Sequence, residues 1–401
     1  MRPFFTLSLA LPATLVATTF SPLREPKSLE GSWIVQLKQG ADMPDILTQL
    51  FEITKIQPTN LYSIGDFQAL SLDGVSDQII SLVLALTAVE SIESNSEVYT
   101  TANITQPDAP WNLARISHRS NTAIEYIYDE TAGAGSCTYV VDTGIYTEHP
   151  EFKGRAIWGI NLAGDDLDTD ANGHGTHVAG TIGAATFGVA KGTLLLAVKV
   201  LDATGSGTTA NVLKGIEWAV NDSLEREGCG NLSVINLSLG SPYSPAVNTV
   251  VAEAVKAGVF VAVSAGNSGV PTSTASPASA PQACTVGATD SDDFRADFSN
   301  WGSVVDLFAP GVNVTSTWSP DSVYTPGTVA TISGTSMASP HVVGLAAYLQ
   351  GLDGGIEAGR LCETIQWLST KGVAKNPFDL PLLFTKNYLA YNGVGVLQRS
   401  G

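Results

Sequence analysis

The stretch Ile332 to Gly344 reads I-S-G-T-S-M-A-S-P-H-V-V-G, and it places Ser336 between a flexible Gly334-Thr335 approach and an apolar helix expected over Met337 to Tyr348. A helix N-terminus carries partial positive charge and unpaired N–H donors, which stabilise the oxyanion formed when an acyl group is attacked. A serine beside glycine is more often only a helix cap. Two further stretches give Ser336 possible partners: V-V-D-T-G at Val140 to Gly144 and N-G-H-G-T-H-V-A-G at Asn172 to Gly180.

Around these stretches, continuous apolar strands are expected at Cys137 to Val141, Leu194 to Val200, Ser233 to Ser238 and Val259 to Ser264. Helices are expected between them, over Thr209 to Arg226 and Pro245 to Ala257. That alternation predicts an α/β fold, a doubly wound, mainly parallel sheet covered on both faces. Ligands of such sheets bind beyond the strands' carboxyl ends, where Asp142, Ser238-Leu239-Gly240 and Ala265-Gly266-Asn267 all fall.

Residues from about Ser21 to Asn103 read as a separate small α+β unit. A strand is expected at Trp33 to Lys38, a helix near Met43 to Ile53, a strand around Phe67 to Leu72, a helix over Ser76 to Ala88 and a last strand near Val89 to Glu93. This βαββαβ-like, ferredoxin-like order contains no histidine and no cysteine. The polar, proline-punctuated T-T-A-N-I-T-Q-P-D-A-P-W that follows reads as a cleavable linker.

The chain has 401 residues, 44% of them hydrophobic, and a formal net charge of −18. It is long enough for two or three units, and its acidity argues against nucleic acid or an anionic membrane as partner. The first twenty residues begin with Arg2 and an apolar run interrupted by Pro12, the pattern of a secretory signal rather than a membrane span. Cys137, Cys229, Cys284 and Cys362 make an even number in such a chain, so two disulfides are expected; spacing alone leaves three pairings open.

A serine hydroxyl needs a base, and a histidine base needs a carboxylate to fix its tautomer and stabilise its charge. Asp142, His174 and Ser336 fill those roles. The H-x-x-H pair at His174 and His177 has metal ligation as its rival reading. The glycines at 173 and 175 favour a tight loop that positions His174, whereas His177 enters an apolar run and reads as structural, like His118, His149 and His341.

The segments V-V-D-T-G-I, G-H-G-T-H-V-A-G and S-G-T-S-M-A-S-P-H, in Asp, His, Ser order, resemble the subtilisin superfamily of serine proteases. A-P-W-N-L-A-R-I-S, F-G-V-A-K, V-K-V-L-D, S-P-A-S and L-A-A-Y-L are similar to its proteinase K branch. The resemblance implies that Asn267 joins the Ser336 N–H in an oxyanion hole. It makes Gly205-Ser206-Gly207 and Ser238-Leu239-Gly240 the edges that bind an extended peptide. Ala265 and Gly266 would line a roomy apolar primary pocket. It also implies disulfides Cys137 to Cys229 and Cys284 to Cys362. A structural calcium would sit on the carbonyls of Pro281 and Ala283 and the Asp306 carboxylate. A second, weaker calcium site is not expected, because Arg119 and Val373 stand at its positions. Val178 replaces a cysteine common after the second motif histidine, and Thr209 replaces an aromatic lid.

By the same resemblance the first unit is an inhibitory propeptide, matched by W-I-V-Q-L-K and V-E-S-I-E-S-N-S-E-V-Y. The expected organisation is signal 1–20, propeptide 21–103 and peptidase domain 104–401, with cleavage near Asn103 to Ile104. The expected protein is a secreted, extracellular endopeptidase, a vacuolar destination being the alternative. It acts as a monomer, needs no catalytic cofactor or membrane, and cuts proteins and peptides after apolar or aromatic residues. Sequons at Asn103, Asn221, Asn231 and Asn313 are glycosylation candidates; a fifth, Asn236, lies in a strand expected to be buried. The rival readings are a catalytically silent binding protein and an inhibitor acting through its first unit.

Overall fold

The computed structural model describes residues 28–96, 103–229, 232–324, 327–353, 355–376 and 385–394. The expected signal segment, the sequon at Asn231 and residues 97–102, just before the expected cleavage point, lie outside these. The chain divides into two compact units, residues 1–100 and 101–401. Among the described residues no helix is long and apolar enough to cross a membrane.

The first unit is a four-stranded antiparallel sheet in the order Asn60–Ile64, Phe67–Leu72, Ser28–Leu37, Val89–Ser96, with helices Met43–Thr54 and Asp77–Leu84. Its first helix starts where the Asp42 side chain accepts the Asp45 N–H and ends at Lys55 in the left-handed region, φ +59. Ile46 and Leu50, one turn apart, face Val35, Leu37, Leu70 and Leu72 in a single core. The strand Asn60–Ile64 has all five residues exposed, so it displays no burial pattern to a reader of the sequence. The second helix stops at Leu84, four residues before the expected end. The apolar run continues to Ala88 because Leu86 and Ala88 reach the same core from a turn.

In the second unit, parallel strands run side by side in the order Leu307–Pro310, Cys284–Thr289, Phe260–Ser264, Ser233–Leu237, Cys137–Asp142, Leu194–Lys199, Ala156–Asn161. The short strand Tyr388–Leu389 extends the sheet beside Leu307–Pro310 and pairs antiparallel with Thr370–Lys371. Successive side chains on a strand point to opposite faces. Tyr139 and Val141 therefore enter the core under helices Thr209–Glu225 and Pro245–Lys256. Val140 enters the core under helices His174–Gly183 and Thr335–Asp353. Burial on both faces is why these strands read as continuous apolar runs.

The strands Ala156–Asn161, Cys284–Thr289 and Leu307–Pro310 carry weaker signals. In C-T-V-G-A-T, for example, the buried Thr285 hydroxyl is satisfied by the Ala278 carbonyl at 3.0 Å rather than by being apolar. Disulfides join Cys137 to Cys229 and Cys284 to Cys362, with Cα separations of 5.2 and 5.6 Å.

The chain order reverses at Cys137–Asp142, which has Leu194–Lys199 on one side and Ser233–Leu237 on the other. A crevice opens beyond the carboxyl ends at such a reversal. Asp142 ends one of these strands and Ser238 follows another.

Candidate active site

Asp142 is fully buried. Its Oδ1 accepts the Thr143 N–H at 2.7 Å and meets His174 Nδ1 at 2.7 Å, while Oδ2 has no protein partner. His174 opens the helix His174–Gly183. The preceding Gly173 has φ +103, and a Cβ there would lie 2.3 Å from the Trp318 ring, so only glycine serves. Asn172 braces the same turn, its Oδ1 accepting the His174 N–H at 3.2 Å and its Nδ2 donating to the Ala203 carbonyl at 3.0 Å.

The His174 side chain is 25% exposed. Desolvation alone would pull its pKa down, but the charge and hydrogen bond of Asp142, with the charge of Asp170 behind them, outweigh it and hold the pKa above 6.5. An imidazole with Nδ1–H bound to a carboxylate presents Nε2 as a base. The neighbouring His177 has burial as its main perturbation, which drops its pKa to about 3, and its Nε2 contacts the Val314 carbonyl at 3.0 Å. That contact turns His177 away from shared metal ligation with His174. His341, pushed down by burial to about 4, bridges the Met337 carbonyl and Asn112 at 2.8 Å each.

The helix bearing Ser336 runs Thr335–Asp353, longer at both ends than expected, and Ser336 is its second residue. Pro340 inside it has no N–H to return to the Ser336 carbonyl four residues back. Ser238 Oγ donates to that carbonyl instead, at 2.9 Å. Ser336 Oγ donates to the Ser238 carbonyl at 3.3 Å, and the structure records no hydrogen bond from it to His174. Such contacts are often loose before substrate is bound.

Asn267 is oriented by Thr335, whose N–H and Oγ1–H both donate to its Oδ1 at 2.8 Å. With Oδ1 spent, Nδ2 is left as the donor facing the start of the helix, and a Cβ added at Gly334 would lie 3.5 Å from it. Gly266, at φ +102, leaves room for Asn300, whose Nδ2 donates to the Ala265 carbonyl at 2.9 Å.

Two hollows flank these groups. One of about 450 Å³ is lined by His174, Gly205, Ser206, Gly207, Leu239 and Gly240 among others. The other, of about 410 Å³, includes Ser238, Leu239, Ala265, Gly266, Asn267 and Ser336, and no charged side chain lines it. Thr209 stands exposed on the rim of the first, and Val178 is buried beneath His174. Sequence reasoning did not single out Asp170. Its carboxylate accepts from Thr143 Oγ1 at 2.8 Å, from the Gly173 N–H at 2.8 Å and from Thr176 Oγ1 at 2.6 Å, locking the Asp142 and His174 segments together. The run D-A-N-G-H-G, with a carboxylate four residues before the histidine, was the available signal.

The expected calcium position is tied up differently. Asp306 Oδ2 accepts the Thr285 N–H at 3.0 Å, and Oδ1 accepts from Gln366 Nε2 at 3.0 Å and Lys386 Nζ at 2.8 Å. A hard divalent cation needs several oxygens free to face it. With an ammonium and two N–H donors on it, the Asp306 carboxylate as it stands does not fit calcium; the proposed Pro281 and Ala283 carbonyls would have to act without it. The Sγ atoms of Cys284 and Cys362 lie near Asp306 but are joined as a disulfide. At the weaker site's positions, the Arg119 guanidinium stacks 3.8 Å over the Tyr391 ring. Asn103, Asn221 and Asn313 are exposed, whereas Asn236 is fully buried, its Oδ1 accepting from Ser339 Oγ at 3.1 Å.

A parallel sheet with a carboxylate, an imidazole and a helix-borne serine at its reversal point is the equipment of a serine-nucleophile hydrolase of α/β class. Residues 133–375 match the subtilase family. Similar proteins are the alkaline serine protease ver112 of Corniculantispora psalliotae, 44% identical over 96% of this chain and 97% of its own, and proteinase T of Parengyodontium album, 50% identical over 76% of this chain and 99% of its own. The crystal structure of a cold adapted subtilisin-like serine proteinase aligns with a TM-score of 0.65 and 39% identity, over 71% of this chain and 98% of that one. The chain belongs to the subtilase family of serine proteases.

Proposed function

We propose that the chain is a secreted endopeptidase made as a zymogen, with Asp142, His174 and Ser336 as its catalytic residues. The carrying observation is the 2.7 Å contact between His174 Nδ1 and the buried Asp142 carboxylate, which leaves Nε2 as the base. His174 takes the Ser336 hydroxyl proton as Oγ attacks the scissile carbonyl. The oxyanion is held by the Ser336 N–H and Asn267 Nδ2. The imidazolium, stabilised by Asp142, gives its proton to the leaving amine. Water then attacks the acyl-enzyme by the same steps in reverse.

The peptide lies between Gly205-Ser206-Gly207 and Ser238-Leu239-Gly240. The uncharged hollow at Ala265 and Gly266 favours an apolar or aromatic side chain before the scissile bond. The first unit acts as folding aid and inhibitor and is released by cleavage near Asn103 to Ile104. That cut would leave Ile104, paired with Tyr128, as the first residue of the mature enzyme. The mature enzyme acts outside the cell as a monomer, with Asn221, Asn231 and Asn313 as candidate glycan carriers; Asn103, on the propeptide side of the cut, is a candidate in the uncleaved chain.

The test is to express the whole chain beside Ser336→Ala and read the N-terminus and mass of each. Loss of the first unit from the parent alone supports the proposal. The hydrogen bond from Ser336 Oγ to Ser238 rather than to His174 is the observation favouring a silent binding protein. That reading is upheld if neither chain is cut and the whole folded chain, its first unit removed afterwards by an added protease, hydrolyses no peptide ester.

A further inference from the structure

Asp306 is held at the meeting point of three elements. Its own N–H donates to the Thr285 carbonyl at 2.8 Å and its Oδ2 accepts the Thr285 N–H, so the carboxylate is pinned at the start of the strand Cys284–Thr289. Gln366 reaches it from the helix Ala358–Leu368, which also carries Cys362 of the adjacent disulfide. Lys386 reaches it from the segment leading into the strand Tyr388–Leu389, 80 residues further along the chain. The Asp306 side chain is 18% exposed and that of Lys386 42%, so the pair sits at the surface with the acid the better covered.

We infer that the Lys386 ammonium is a built-in substitute for a metal ion at Asp306, closing the C-terminal segment onto the sheet where the subtilase resemblance implies calcium. The physical case is exclusion. Calcium would need Asp306 Oδ1 at about 2.3–2.6 Å. The ammonium is already 2.8 Å from that atom, and two cations on one oxygen repel. Calcium can enter only by displacing a tethered competitor whose effective concentration is in the millimolar range. A lysine also needs fewer oxygens: one carboxylate satisfies it, whereas a calcium ion needs about six to eight ligands.

The test uses the full chain carrying Ser336→Ala, so that self-digestion does not obscure it and its outcome does not depend on peptidase activity. Thermal unfolding is followed in millimolar calcium chloride and in EGTA, with bound calcium measured after gel filtration. This chain should show a Tm change under about 1 °C between the two conditions and no calcium retained at Asp306. Adding Lys386→Met should create dependence, with calcium raising Tm by roughly 3–5 °C, while Lys386→Arg should stay indifferent. The inference is overturned if the Lys386 chain loses several degrees in EGTA and Asp306→Asn removes that loss. It is equally overturned if Lys386→Met gains no response, which would make the contact an ordinary surface ion pair. A calcium effect that survives Asp306→Asn arises elsewhere and is subtracted before the Lys386→Met comparison decides.

Discussion

The two units handle buried polar groups in opposite ways. The first has one apolar core, no histidine or cysteine, and only Ser32, Thr54 and Ser71 as buried polar side chains among its described residues. The second buries Arg115 against Asp293 at 2.7 Å, threads Lys199 onto the carbonyls of Thr143 and Leu201 at 2.9 and 3.0 Å, and encloses Asp142, Asp170, His177 and His341. Buried networks of that kind cost little only when every member finds its partner, and they then specify one geometry. A small unit with a single core is marginal by surface-to-volume alone. The contrast is what the proposal of a removable first unit asks for, beside a second that must hold a few side chains in one geometry.

The largest way to break this contrast is Ser336→Ala. Peptidase activity should fall by about the 10⁶-fold that subtilisin itself shows for its own serine, whereas Asp73→Ala in the first unit should leave kcat of the released enzyme unchanged. Next, Asn267→Ala should lower kcat by roughly 10²–10³-fold, the range set by subtilisin's own asparagine, with little change in KM; ester hydrolysis under steady-state conditions measures both.

Reduction should separate the units by stability. Cys284→Ala with Cys362→Ala should cost the second unit about 2–5 kcal/mol, read as a shift in its urea midpoint, and leave the first unit's transition in place.

Acid sharpens the comparison further. His177 and His341, held at about 3 and about 4, refuse protons that an unfolded histidine near 6.5 accepts. Across that window the unfolded state binds more protons, so the second unit loses stability as pH falls. The first unit has no histidine. Its Asp73 is lowered chiefly by the hydrogen bond from Ser32, then by that from Thr59, so its contribution persists above the ordinary 3.8 and disappears only as pH falls through the lower folded value. Calorimetry of the Ser336→Ala chain from pH 7 to 4 should move the second unit's transition first; equal sensitivity would break the contrast. In kcat/KM, the acid limb should fall at a pH above 6.5, because protonating the raised His174 removes the base.

The smallest expected effect is Ser238→Ala. It orphans the Ser336 carbonyl and should cost about 1 kcal/mol, a Tm drop of roughly 2–4 °C, with kcat lowered severalfold.

Local chemistry made much of this molecule legible in advance. Gly173 next to His174, at φ +103 with the Trp318 ring against its missing Cβ, is a position where the backbone itself requires the residue type. Strands buried on both faces, such as Cys137–Asp142, have no polar alternation to disguise them. The helix Asp77–Leu84 and the strand Asn60–Ile64 were less readable, because turns share the core of the one and solvent covers the other.

What only the tertiary structure decided is which groups spend their hydrogen bonds on which. Ser238 donates to a carbonyl 98 residues away, freed by Pro340; Asn267 is turned by Thr335, 68 residues away; Asp170 ties two motif segments together. Lys386 occupies the carboxylate that resemblance assigns to calcium. A residue's type sets what it can bond, and that is written in the sequence. Its partner depends on which distant backbone the fold brings within about 3 Å, and that is written only in the packed chain.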